Sequence, residues 1–286
     1  MDPQSQWVIA ALCALIVAAS LWLFVRPRVR NRRLDAQPFP AEWEAIVQQW
    51  LPCYRRMPED VKDALRNRIK HFLANKRFVG CAGQQIDDTI RLSIAAQACL
   101  LILNRPGDYY ADLRWILVYP NEFVVERHRP DESGVVSDGR HVLAGESWSD
   151  GRVILAWSSI QQGIADFTDG FNVVLHEFAH QLDHQSGATN GAPLLKSAAD
   201  YQQWAAVFSE EFARLQAVAR GANVGPGTPA RFADEVLDLY GASNPAEFFA
   251  VATESFFEQS SALAQRHPHL YEQLQRYYEV DPRQWE

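Results

Sequence analysis

Residues Phe171–His184 read FNVVLHEFAHQLDH, and within them His176, Glu177 and His180 spell H-E-x-x-H. An α-helix turns about 100° per residue, so two imidazoles four residues apart lie on one face. Two nitrogens placed in this way can share one tetrahedral Zn²⁺. Glu177 lies about 100° round the helix from His176. From there it can reach a water on the metal without occupying the metal, which is where a general base belongs in zinc-dependent hydrolysis. Phe171, Val174, Leu175, Phe178 and Leu182 form an apolar stripe for a core, and the two histidines lie off it, facing a cleft. A wet helix face can carry His, Glu and His by chance. The setting between Val-Val-Leu and Phe-Ala argues against that. Asp169 is the expected N-cap. Asp183, three residues after His180, is the expected acceptor for an imidazole N–H.

Outward from this stretch, the chain has 286 residues, 48% of them apolar, with nine Trp and a net charge of −8. That suffices for one large domain or two small ones with a sizeable core. The acidic balance weighs against direct nucleic-acid binding. Cys13, Cys53, Cys81 and Cys99 show no metal spacing and imply no disulfide framework.

Trp7–Val25 is a run of 19 residues without a charge, followed by Arg26, Arg28, Arg30, Arg32 and Arg33. Such a run just spans a bilayer core of about 30 Å. Trp7 and Trp22 stand near its ends, where amphipathic rings are favoured. A cleaved signal peptide wants a basic leading region and small residues after the apolar run; here the lead is uncharged but for Asp2, and Arg follows. The expectation is a single-pass anchor in the cytoplasmic membrane, residues 1–33 with their basic flank. Its N-terminus lies outside, and the domain that follows is cytoplasmic. Residues 34–40 read as a linker and 41–286 as one soluble domain.

In that domain, residues 42–51 and 58–74 read as amphipathic helices, the second opened by Pro58, Glu59 and Asp60. Residues 86–103 read as a buried helix, since Asp87, Asp88 and Arg91 leave too short an uncharged run for a second span. Strands are expected at 115–118, 123–126 and 152–157, the last a possible edge strand for an extended substrate. Helices are expected at 197–218, 231–239, 244–259 and 265–278, with Asn244 and Pro245 opening the third. The fold class is α+β: a mostly helical domain with a small mixed sheet, behind one N-terminal transmembrane helix.

A catalytic zinc usually takes three protein ligands. Glu247 and Glu254, seven apart in NPAEFFAVATESFFE (244–258), share one face of an apolar helix. A carboxylate there needs a partner. Glu247 also suits the first helical turn without any metal, so on residues alone the two compete.

Taken together, LVYP-N-EFVV (117–125), GESW (145–148), HEFAHQLD (176–183) and the stretch from Tyr240 through residue 257 resemble the Mlc titration factor A family of zincin-like metallopeptidases, the glucose-regulated peptidases. That family is in turn similar to the catalytic domain of anthrax lethal factor. The resemblance covers about residues 41–285. It implies Glu247 as the third ligand, one Zn²⁺ per chain, and Tyr240 as the oxyanion donor. Glu254 becomes a supporting acid behind the metal. It further implies a peptide or protein substrate cut with Glu177 as general base, or a binding protein that sequesters a transcriptional repressor. The lipid bilayer would be met through residues 7–25. Some members carry a loop histidine that reaches the metal; His71, His128 and His141 are unassigned counterparts.

Overall fold

The computed structural model describes residues 3–105, 107, 110–130, 136–143, 145–148, 151–222 and 236–285. Side chains at 3, 5, 8, 10, 11, 23, 24 and 27 and within 123–143 and 146–148 lie outside the description. The chain forms two compact units, Met1–Pro40 and Ala41–Glu286.

The first unit is one helix, α1 (Pro3–Ala36), about 51 Å long at 1.5 Å per residue. Its large apolar side chains face outward; Trp7 is 77% exposed and Leu15 66%. Among the described residues no helix is long and apolar enough to cross a membrane. The expected helix over residues 7–25 is present; a bilayer crossing does not follow from the fold.

The second unit is mostly helical. It begins with α2 (Ala41–Trp50), a 3₁₀ turn (Pro52–Arg56) and α3 (Glu59–Asn75). Strand β1 (Arg77–Gly80) leads to α4 (Asp88–Leu100), capped by Asp87 accepting from Ile90 N. Every residue of α4 from Leu92 to Leu100 is buried, as a run without charge and with only Ser93 and Gln97 polar predicts. Strands β2 (Trp115–Tyr119), β3 (Phe123–Pro130), β4 (Val136–Leu143), β5 (Gly145–Trp148) and β6 (Arg152–Ala156) follow. Helices α5 (Trp157–Ala165), α6 (Val173–His184) and α7 (Ala198–Ala222) come next. After a 3₁₀ turn at Leu239–Ala242 the chain ends with α8 (Pro245–Glu258), α9 (Ser260–Arg266), α10 (Pro268–Tyr278) and a 3₁₀ turn at Pro282–Trp285.

The main sheet has the order β1-β2-β6-β5, parallel except for the β5–β6 pair; β3 and β4 form a separate antiparallel hairpin. The small mixed sheet expected from sequence is therefore present. Strand β6 is interior, and β5 is the edge instead. The reason is local: β5, only four residues long, pairs antiparallel with β6 from Gly145↔Leu155 to Trp148↔Arg152 and covers its free side.

Helix α6 packs on α8, with α4 and the β5–β6 edge also against it. Phe178, Phe248, Phe249, Phe256, Tyr110 and Tyr278 are fully buried around this pair. Each stabilises the core by about 1.5–3 kcal/mol through removed apolar surface. Three expectations change. Helix α6 starts at Val173, not Phe171, and its N-cap is Asn172 rather than Asp169. Asp169 instead accepts from Phe171 N across the turn at Gly170, whose φ is +78°. Phe171 thus leaves the buried stripe and is 42% exposed. The single last helix divides at His267 into α9 and α10. The helix expected at 231–239 lies mainly outside the described residues, and its visible end is a bend and a 3₁₀ turn.

Candidate metal centre

Asn172 makes the start of α6. Its backbone is extended and its Oδ1 accepts from Val174 N and Leu175 N, satisfying two free helix donors. Asn244 does the same for α8, accepting from Ala246 N and Glu247 N, with Pro245 at the first helical position. Glu247 is thereby fixed in the first turn of α8, pointing at the middle of α6.

Three atoms converge between the two helices. His176 Nε2 lies 3.0 Å from Glu247 Oε2, His180 Nε2 lies 3.3 Å from the same oxygen, and the two Nε2 atoms are 3.2 Å apart. Among the described residues this is the one group whose ligand atoms could hold a metal ion. Donors about 2.0–2.1 Å from a tetrahedral zinc are about 3.3 Å from one another, so the observed triangle fits. Glu247 and Glu254 are thus separated by position: Glu247 faces both Nε2 atoms, and Glu254 takes the other side of His176. Glu254 Oε1 lies 2.7 Å from His176 Nδ1, and its Oε2 accepts from Asn172 N. With Nδ1–H donating to Glu254, His176 turns its Nε2 lone pair toward the centre.

The electrostatics favour a cation at this point. Burial by itself pushes the His176 imidazolium down, yet the carboxylates of Glu254, Glu247 and Glu177 hold its pKa well above the usual histidine range. Burial likewise raises Glu247, but the two imidazoles win and hold it well below the usual carboxylate range. A proton and a metal ion compete for the same lone pair. Glu254, fully buried, is raised by desolvation despite the pull of His176.

Glu177 is 6% exposed and lies beside β5. A Cβ on Gly145 would fall 2.6 Å from Glu177 Cγ and 2.7 Å from its Oε1. Only glycine at the start of GESW lets the edge strand come this close to the acid. Tyr240 is 54% exposed, its ring centre 6.0 Å from that of His176. Its backbone is pinned by Asp238 Oδ1, which accepts from Tyr240 N, and by Ser243 Oγ, which donates to Tyr240 O.

Asp183 does not take the place expected of it. Its Oδ2 accepts from Gly191 N at 2.7 Å, tying down the loop after α6, while its Oδ1 and His180 Nδ1 are both buried with no hydrogen-bond partner among the described residues. Gly191, at φ +78°, packs so tightly on Pro245 that a Cβ would fall 2.3 Å from its carbonyl oxygen, so this loop braces the start of α8. His184 Nδ1 lies 3.4 Å from Thr189 Oγ1. His71 lies on α3, and the side chains of His128 and His141 are outside the described residues.

Sequence reasoning did not single out Asn172, Gln97 or Glu258. Asn172 Nδ2 donates to Gln97 Oε1 at 2.7 Å and to Glu258 Oε1 at 2.9 Å, all three buried. The signal was available. A Gln inside the apolar run of α4 and a Glu closing FFE both need partners when buried, and Asn before Val-Val-Leu is a favoured cap.

The chain is 41% identical over 254 residues to an uncharacterized protein of Synechocystis, covering 88% of this chain and 89% of that one. It is 31% identical over 235 residues to Mlc titration factor A of Escherichia coli, covering 82% and 84%. Against Mlc titration factor A of Cronobacter sakazakii the identity is 30% over 246 residues, covering 85% and 87%. The family model described as glucose-regulated metallo-peptidase M90 matches residues 25–279. That span runs from within α1 to just past α10 and takes in both helices of the centre, and the chain belongs to the glucose-regulated metallo-peptidase M90 family.

Proposed function

We propose that the chain is a single-zinc peptidase in which His176, His180 and Glu247 hold the ion. The observation that carries this is the triangle of three donor atoms at 3.0–3.3 Å, with Glu254 behind His176. Zinc supplies Lewis acidity there, polarising a carbonyl and making water more acidic. Glu177 takes a proton from the attacking water and passes it to the leaving amine. Tyr240 donates its phenol O–H to the developing oxyanion. Strand β5, the free edge beside Glu177, pairs with an extended peptide through its backbone. Zinc content and peptide hydrolysis of wild type, Glu177→Gln and Glu247→Ala test the assignment. E177Q should keep its zinc and lose hydrolysis; E247A should lose zinc. Equal hydrolysis by E177Q sinks the mechanism, and undiminished zinc in E247A rejects Glu247.

A second reading is favoured by the name Mlc titration factor A carried by the relatives. The domain would bind a transcriptional repressor, with or without cutting it. Capture of a repressor by E177Q, with no cleavage of any peptide by wild type, would favour binding as the main role.

The N-terminal unit we read as a membrane anchor, with its N-terminus outside and the peptidase unit cytoplasmic. The 19-residue uncharged run, the outward-facing apolar side chains of α1 and the five arginines after the run support it.

A further inference from the structure

Away from the metal centre, the second unit contains a cavity of about 510 Å³. It lies between the 3₁₀ turn Pro52–Arg56, the segment after α5, the end of α8, α9 and the C-terminal turn; none of the residues in its wall belongs to the metal triangle. A volume of that order suits a small molecule.

Three of the groups in its wall, on Trp285, Glu258 and Arg56, have no hydrogen-bond partner among the described residues. Trp285 Nε1 is buried with no hydrogen-bond partner among the described residues, and an indole N–H can only donate. Glu258 Oε2 is also buried and unpaired, while its Oε1 accepts from Asn172 Nδ2. Burial, opposed by the Asn172 bond but aided by Glu254 and Asp169, pushes the Glu258 carboxyl up to about 9. At neutral pH this carboxyl is therefore protonated and adds no negative charge to the wall. At the rim stands Arg56, exposed and with no hydrogen bond or ion pair among the described residues. A second guanidinium, Arg266, lines the same opening. Buried polar atoms without partners are rare in folded proteins, and each calls for an account. Phe167 and Phe257 supply apolar wall. Donors, positive charge and aromatic surface together describe the complement of one ligand class.

We propose that this cavity is a second ligand site, separate from the metal centre, that takes a small amphipathic carboxylate. The hydrocarbon body packs on Phe167 and Phe257, and the carboxylate accepts from Arg56 and Trp285.

The test is calorimetric titration of the full chain with phenylacetate, against 2-phenylethanol and phenethylamine, which keep the ring and change the head. Phenylacetate should bind saturably at one site, and both analogues about tenfold more weakly or worse, as loss of a charge-assisted hydrogen bond implies. Arg56→Ala, on the exposed rim, and Trp285→Phe, which removes the N–H and keeps the packing, should each weaken phenylacetate about tenfold. Glu247→Ala should leave it unchanged. Absence of saturable heat overturns the proposal, as does equal binding of phenethylamine. Binding abolished by E247A and untouched by R56A would place the carboxylate on the metal centre and overturn it equally. Should W285F fail to fold by circular dichroism, R56A alone decides.

Discussion

At the scale of single residues, two buried acids on α8 sit one turn apart and differ in task. Glu254 holds the back of His176 and is 2% exposed. Glu254→Gln keeps the shape and removes the charge that orients and enriches the imidazole. Carboxylates in this position typically matter by about 10–100-fold in metal affinity. Zinc affinity of E254Q, measured by chelator competition, should fall within that range while the fold persists; unchanged affinity would leave Glu254 a structural acid only. Glu258 faces a pH consequence instead. Its folded carboxyl is pushed up to about 9 by burial, against about 4.3 in an unfolded chain. Below the lower value both states are protonated and nothing is lost. As pH rises between the two values, the unfolded chain releases a proton that the folded chain keeps, so stability falls, and it levels above the upper value. Glu258→Gln removes this one contribution. The difference in Tm between E258Q and wild type should therefore widen in favour of E258Q from about pH 5 to about pH 9 and then stay flat. A difference that does not change with pH would contradict the buried protonated acid.

At the scale of elements, the site depends on how α6 begins. Asn172 caps the helix, donates to Gln97 and Glu258, and gives its backbone N–H to Glu254. Asn172→Ala removes the cap, worth about 0.5–2 kcal/mol, and leaves two buried acceptors unpaired, for a total loss of about 3 kcal/mol. Asn172→Ser restores the cap alone and should recover only that share. Urea denaturation midpoints at equal slope check both; a loss fully recovered by serine would show that the contacts to Gln97 and Glu258 contribute nothing. The same element shows what a sequence can reveal. Helices α6 and α8 are legible because apolar spacing, caps and proline all lie within a few residues of one another. The four residues of β5 carry no alternation; they are a strand because β6, a few positions later, offers a partner, and pairing of that kind is set by tertiary context. Helix α5 starts straight out of β6 at Trp157 with no side-chain cap, so its first residues read as more strand. Glu247 and Glu254 share a face of α8, and no local pattern tells which end meets the histidines. Only the crossing of α6 over α8 places Glu247 on Nε2 and Glu254 on Nδ1. Tyr240 came through resemblance alone, because a lone exposed aromatic has no spacing to read.

At the scale of the whole molecule, the two units have opposite surface chemistry. The second buries most of its described aromatic side chains, Trp115, Phe171 and Tyr240 excepted, whereas α1 shows water a row of Leu, Ile, Val and Trp, ending in arginines. Exposing that much apolar surface on one helix is costly in water and favourable in a bilayer. For the anchor proposed above, the five arginines after the run predict the direction, since basic flanks are biased to the cytoplasmic side. Two measurements follow. The full chain, reconstituted with phospholipid vesicles, should float with them through a density gradient and resist extraction by high salt. A chain beginning at Ala41 should stay at the bottom, because the unit it retains is compact without residues 1–40. Salt alone releasing the full chain would mean that the arginines bind lipid headgroups while the apolar run stays out of the core, because screening weakens surface charge but not buried hydrocarbon. Flotation of both chains would move membrane binding to the peptidase unit, and flotation of neither would remove the anchor. For direction, protease added to intact spheroplasts should leave the peptidase unit whole and cut it only after lysis. Digestion without lysis would put His176, His180 and Glu247 on the outer side and reverse the orientation that the arginines predict.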